Sequence, residues 1–208
     1  MKILILLIFI FSVSCGNKFQ QIKEVKNIAG IDPCESPDAD ISCNFENVPD
    51  NPGYVMNISS KTEPGIKIFI EGQILKADGK TPYPEILIYA YQTDSTGLYS
   101  KSGNETGVQK LHGKLHGWCM TDINGKYKIN TVRPGKYPTN DFPAHIHWAI
   151  REPDGKMQYL NDFVFSDDKH VNEEYISKPY YKTGDVGVLK LSKNNNGIMW
   201  AKRITVLK

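Results

Sequence analysis

Two histidines stand two residues apart in Tyr137-Pro138-Thr139-Asn140-Asp141-Phe142-Pro143-Ala144-His145-Ile146-His147-Trp148. The segment reads as β. Side chains on a strand alternate between faces, so His145 and His147 share one face while Ile146, Trp148 and Ile150 take the other. At a rise of roughly 3.3 Å per residue the two imidazoles are about 7 Å apart along the strand, a spacing that can close on one metal ion. Tyr137 lies eight residues before His145, just past the Arg133-Pro134-Gly135 turn, and can fold back beside the pair. Tyr99 is a second phenol, near the start of a long loop. Imidazole suits several transition metals, whereas phenolate favours ferric iron. A free phenol ionises near pH ~10, so only a strongly polarising cation makes it an anionic ligand near neutrality.

The elements that must position these groups are strands. Ile66, Ile68, Ile70 and Ile74 alternate with Lys67, Phe69, Glu71 and Gln73, a period of two that begins regular structure near Gly65. Asp78-Gly79-Lys80-Thr81-Pro82 is a turn. Residues 85–92 are apolar on both faces, as in a sheet interior. Residues 93–117, rich in Ser, Thr, Gly and Asn, form a long excursion of the kind that carries function. Strands are predicted at 118–121, 126–132, 144–151 and 157–165. A last hairpin is predicted from 186–191 and 198–207, around Lys193-Asn194-Asn195-Asn196-Gly197. No helical period appears beyond a turn near 172–176. The pattern predicts an all-β fold, a β-sandwich of mainly antiparallel strands over 65–208. Tyr89, Tyr91 and Tyr127 read as packing residues. His112 and His116 read as loop residues, since Gly113 and Gly117 argue against a helix that would align them. His170 reads as surface.

The N-terminus gives an address. Residues 1–14 carry Lys2, an apolar run and small residues, as in a signal peptide too short to span as a transmembrane helix. Ser12-Val13-Ser14-Cys15-Gly16 resembles a bacterial lipobox, in which Cys15 becomes the lipidated first residue; an ordinary signal peptide cut nearby is the alternative. An exported, membrane-anchored lipoprotein is expected, touching the membrane through its N-terminal lipid only. Residues 15–64 then form a tether and an irregular arm. In an oxidising compartment Cys34 and Cys43 would close a short disulfide loop, the alternative being two free thiols. Cys119, between Trp118 and Met120, reads as a buried, inert thiol. With net charge +2, pI about 8.2 and no basic stripe, nothing points to nucleic acid.

Four blocks, taken in order, resemble the intradiol ring-cleavage dioxygenases. They are Tyr91-Gln92-Thr93-Asp94-Ser95-Thr96-Gly97-Leu98-Tyr99, then Gly117 through Tyr127 with its Thr-Asp-x-x-Gly-x-Tyr pattern, then Thr131-Val132-Arg133-Pro134-Gly135-Lys136-Tyr137-Pro138, then Pro143-Ala144-His145-Ile146-His147. The resemblance covers about residues 66–168. It implies a β-sandwich holding non-haem Fe(III) through Tyr99, Tyr137, His145 and His147. It also implies cleavage of a catechol between its hydroxylated carbons, with both atoms of dioxygen entering a muconate-type product. In the family the tyrosinate matching Tyr137 leaves the metal as the catechol binds. The helical N-terminal region of the cytoplasmic catechol dioxygenases has no counterpart in residues 16–64, which leaves the oligomeric state open.

The chain also departs from that pattern. Phe142 stands where the family usually has an arginine, and a phenyl ring can stack but supplies no charge to the reacting ring. Asp162 stands where a glutamine is usual. The other readings of the same residues are a cupin-type site, from His145-x-His147-x-x-x-x-Glu152, and a non-catalytic metal- or ligand-binding sandwich.

Overall fold

In the computed structural model, residues 30, 32–181, 185–194 and 197–208 are described. The strands are β1 Val55–Asn57, β2 Lys67–Leu75, β3 Leu87–Gln92, β4 His116–Met120, β5 Lys126–Val132, β6 His145–Arg151, β7 Met157–Tyr159, β8 Phe163–Phe165, β9 Val188–Leu189, β10 Ser192–Lys193 and β11 Met199–Val206. Two short helices, α1 Gln109–His112 and α2 Glu173–Ser177, and 3-10 turns at Pro33–Glu35 and Ile41–Phe45 complete the described elements. The signal peptide and lipobox lie outside the described residues. Among the described residues no helix is long and apolar enough to cross a membrane.

One sheet runs β1-β5-β2-β11-β10 and the other β4-β3-β6-β8-β9, with β7 also paired to β6. Most pairings are antiparallel, as expected of the sandwich; β1–β5, β2–β11 and β8–β9 are parallel. The period-two pattern explains the core. Ile68, Ile70 and Ile74 of β2 and Tyr127 and Ile129 of β5 face Ile88 of β3, Ile146, Trp148 and Ile150 of β6 and Phe163 and Phe165 of β8 in one buried cluster. The alternation that buries Ile146 and Trp148 puts His145 and His147 on the outer face of the second sheet. Part of that outer face is covered by the N-terminal arm, where Phe45 packs on Leu87, Tyr89 and Ala149.

Several expectations are corrected. Regular structure starts before Gly65, because β1 pairs with β5. The returning strand at 157–165 is broken into β7 and β8, both on β6, with Leu160, Asn161 and Asp162 in the gap. The last hairpin is only β10 with β11, since β9 crosses to the other sheet and pairs with β8. The long excursion contains α1, one turn closed by Gly113 at φ +79. Cys34 and Cys43 are joined in a disulfide, and Cys119 is a buried free thiol.

The Thr-Asp-x-x-Gly-x-Tyr block is scaffold. Thr121 Oγ1 accepts from Ile86 N–H at 2.9 Å and donates to the Tyr83 carbonyl at 2.9 Å. Asp122 caps its turn through the Asn124 and Lys126 amides, and Tyr127 fills the core. At Gly72, the partner of Tyr127 across β2 and β5, a Cβ would lie 1.9 Å from the ring, so only glycine leaves room for it.

Candidate metal centre

Tyr99 and Tyr137 meet because two loops dock backbone to backbone. The loop after β3 turns at Asp94, whose carbonyl accepts from the amides of Gly97 (3.1 Å) and Gly135 (2.8 Å). Gly97 has φ +87, and a Cβ there would lie 2.0 Å from the Lys136 carbonyl oxygen. Only glycine permits both the left-handed backbone and the contact. The result sets the two phenol oxygens 2.5 Å apart, with Tyr99 on one loop and Tyr137 on the other.

The histidines complete a convergent set. Tyr137 Oη is 3.2 Å from both His145 Nε2 and His147 Nε2, and the two nitrogens are 2.9 Å from each other. Their tautomers follow from their other edges. His145 Nδ1 lies 2.7 Å from the Pro143 carbonyl, which can only accept, so the proton is on Nδ1. His147 Nδ1 likewise donates to the Asp162 carboxylate at 3.1 Å. Both Nε2 atoms therefore present lone pairs to one point. If Tyr99 donates to Tyr137 and Tyr137 donates to one nitrogen, the other nitrogen has no proton to share. A cation resolves that deficit. Donors about 2.9 Å apart are also what metal bonds of about 2.0–2.1 Å at right angles require. Histidines anchored through Nδ1 by a carbonyl and a carboxylate are the usual support of metal ligands. The four side chains fit a metal ion.

Electrostatics point the same way. Burial raises the Tyr99 phenol far above its ordinary value, and the Tyr137 hydrogen bond adds to this. Burial also raises Tyr137 and lowers His145. Without a cation the phenols stay protonated and the imidazole neutral; a polyvalent cation is what would ionise the phenols.

Asp162 sits within 4.8 Å of the histidine donors, but on the Nδ1 edge of His147, away from the phenols, where it orients the ring. Phe142 is 61% exposed at the rim of a cavity of about 580 Å³. Tyr137, His145, His147 and Asp162 line this cavity; Tyr99 does not. Glu152, which the cupin-type reading requires, points elsewhere: its carboxylate accepts from the Tyr83 hydroxyl at 2.8 Å and from Gln158 at 2.9 Å.

Three features were missed in the sequence. Tyr91 pairs with His147 across β3 and β6, and its ring stacks on that imidazole at 4.7 Å between centroids, so it is more than packing. His112 lies on α1 and also stacks on Tyr91, with centroids 3.5 Å apart, and its Nδ1 is 3.0 Å from the Tyr89 hydroxyl. Burial, then His147 and His116, push His112 down to about 3. Tyr159, Tyr175, Tyr180 and Tyr181 line the same cavity. The clustering of Tyr175, Tyr180 and Tyr181 was the available signal. His116 is on β4, and His170 is only 19% exposed, beside Asp141, rather than at the surface.

Comparison with known proteins gives the family. Residues 45–204 match the family described as Dioxygenase. Catechol 1,2-dioxygenase of Candida albicans is 29% identical over 125 residues, 51% of this chain and 40% of its own length. The protocatechuate 3,4-dioxygenase beta chain of Burkholderia cepacia is 31% identical over 92 residues, 41% of this chain and 39% of its own. The chain thus spans about two-fifths of the length of these relatives. Among solved structures, the dioxygenase domain of a dioxygenase–carbohydrate-binding protein fusion from Streptomyces sp. SirexAA-E superposes with a TM-score of 0.57 at 18% identity, covering 77% of this chain and 90% of that one. An intradiol ring-cleavage dioxygenase from Tetranychus urticae gives 0.54 at 18%, covering 78% and 88%. At such identities the likeness is one of fold. Matched over most of its folded length and carrying the four-block pattern, the chain belongs to the intradiol ring-cleavage dioxygenase family.

Proposed function

We propose that this protein is a non-haem ferric dioxygenase that opens a catechol-type ring between its two hydroxylated carbons, placing both atoms of dioxygen in a muconate-type diacid. The observation that carries this reading is the convergence at Tyr137 Oη, 2.5 Å from Tyr99 Oη and 3.2 Å from both unprotonated imidazole nitrogens, themselves 2.9 Å apart. Tyr99, Tyr137, His145 and His147 would hold Fe(III). The chemistry iron supplies when bound is withdrawal of electron density from a catecholate, which opens the ring to dioxygen. The chain does the rest. The Pro143 carbonyl and the Asp162 carboxylate fix the imidazoles. Tyr137 lines the cavity, so its oxygen would be the one placed to take a proton from an incoming hydroxyl. Tyr99, outside the cavity lining, stays. Phe142 offers the bound ring a stacking surface in place of the family's charge.

The test is colour and dioxygen. Tyrosinate on ferric iron gives a visible charge-transfer band, so iron-loaded protein should be burgundy, show a weakened and shifted band in Tyr99→Phe, and consume dioxygen with catechols. A colourless protein at full iron occupancy would refute the donor assignment. A coloured protein inert towards every catechol would favour the second reading, a metal-binding sandwich without turnover, for which Phe142 is the supporting observation.

The same reading extends to location. The lipobox-like Ser12-Val13-Ser14-Cys15 and the disulfide between Cys34 and Cys43 support an exported lipoprotein. A Cys15→Ala protein that still sediments with membranes would overturn it.

A further inference from the structure

The cavity is larger than a single ring requires. An apolar cavity of about 150 Å³ already holds a benzene ring, and this one measures about 580 Å³. Beside the metal donors, its lining is rich in aromatics. Tyr159 stacks on Tyr181 with centroids 6.1 Å apart and planes at 19°, and Tyr180 meets Tyr181 edge-on at 4.8 Å. Tyr175 of α2 and Phe142 also belong to the lining. Flat aromatic surfaces with phenol edges favour another flat aromatic group by stacking and apolar burial.

The charges point the same way. Lys178 is the one cation among the described residues that line the cavity, and its ammonium is tied to Glu174 at 2.9 Å. Asp162 and Glu174 are carboxylates. Among the described lining residues, a carboxylated catechol would meet the Asp162 carboxylate, a Lys178–Glu174 pair already neutralised, and no guanidinium. The rim position where the family's charge usually stands is a phenyl ring.

Resting on the reading of the site as a catechol dioxygenase, we infer that the preferred substrate is a neutral catechol bearing a second aromatic ring, the diol at the metal donors and the second ring against Tyr159, Tyr175, Tyr180 and Tyr181. Carboxylated catechols are disfavoured.

The experiment uses the full chain in two states. Metal-free protein is titrated by calorimetry with phenol and 4-phenylphenol, which cannot chelate. Iron-loaded protein is titrated anaerobically with catechol, 3,4-dihydroxybenzoate and 4-phenylcatechol, following the visible band. The expected result is at least tenfold tighter binding of the two-ring compound in each state, with 3,4-dihydroxybenzoate the weakest diol. Tyr180→Ala, at a side chain 86% exposed and so safe for folding, and Tyr181→Ala should each narrow the two-ring preference severalfold. Equal affinity for one- and two-ring compounds, or a preference unmoved in both variants, overturns the inference while leaving the dioxygenase reading intact. No visible band and no dioxygen uptake with any catechol would instead sink the dioxygenase reading, and two-ring binding by the metal-free protein would still report on the cavity.

Discussion

Asn161→Ala should detach the aromatic wall from the sandwich. Asn161 sits in the gap between β7 and β8 and is buried. Its side chain makes three hydrogen bonds to the segment beyond α2: Nδ2 donates to the Tyr181 carbonyl at 2.8 Å and to the Asp185 carbonyl at 2.9 Å, and Oδ1 accepts from the Tyr181 amide at 2.8 Å. Alanine removes all three. Its backbone carbonyl still accepts from Trp148 Nε1 and from Arg203 Nη2, so β6 and β11 keep their contacts to this point. Tyr181 and Asp185 are only half-buried, so water can reach the freed groups. The cost is then the net value of each bond, about 0.5–1.5 kcal/mol, or about 3 kcal/mol in all. With a urea m-value of roughly 2 kcal/mol per M for a domain this size, the midpoint should fall by about 1.5 M. Asn161→Asp, which keeps the acceptor but sets a carboxylate against two carbonyls, should cost at least as much. Hydrogen exchange at the Tyr181 amide should accelerate in both. A midpoint shift below about 0.3 M with the Tyr181 amide still protected would refute the argument, because the wall would then be held by something other than Asn161.

Removing the carboxylate in Asp162→Ala should lower iron affinity about 10- to 100-fold, measured by chelator competition, because His147 loses the partner that fixes its tautomer; unchanged affinity would mean stacking on Tyr91 alone orients the ring. Phe142→Arg should raise dioxygen uptake with simple catechols and relieve discrimination against 3,4-dihydroxybenzoate; if uptake is unchanged or falls with iron retained, charge at this position is not what limits the reaction. His112→Phe should flatten the acid dependence of stability. His112 is held neutral by burial to about pH 3, whereas a free imidazole protonates near ~6.5, so the unfolded chain takes up the proton first as pH falls. The stability from keeping it neutral is whole above about 6.5 and drains away below, about 2 kcal/mol by pH 5. Urea melts at pH 7 and 5 should show the wild type losing about that much more than the variant.

What the sequence disclosed followed from short-range rules. Strand alternation separates Ile146 and Trp148 from His145 and His147 without knowledge of any partner, and β6 obeys it. The two glycines that seat Tyr99 beside Tyr137 are visible as residues, but not the contact they permit, since Gly97 and Lys136 meet only when two distant loops dock. Tyr91 was read as packing because its neighbour, His147, is set by register across β3 and β6, which alternation alone does not fix. Strand β9 was assigned to a hairpin because two residues carry no signal of the sheet they join. The sequence cannot place His112 on a helix, because one turn has no period to detect.

These differences divide the site into two halves with different determinants. The metal donors sit on a regular strand and on two glycine-tightened loops, where a one-residue shift would turn His145 and His147 into the core. The Tyr180–Tyr181 part of the aromatic wall is irregular backbone held by side-chain clamps: Asn161 on Tyr181 and Asp185, and Arg203, stacked 4.7 Å from Trp148 and 4.5 Å from Phe163, on Asn161 and Asp185. Arg203 is buried and reaches its partners from β11, in the sheet that carries neither donor histidine. Substitutions among the wall tyrosines can therefore change what the cavity accepts without moving a donor atom, whereas substitutions at Gly97 or Gly135 would separate the phenols and leave the wall untouched. On that argument, Gly97→Ala should lose the iron-tyrosinate band while the metal-free protein keeps its affinity for 4-phenylphenol. Loss of both together would show that donors and wall are coupled after all.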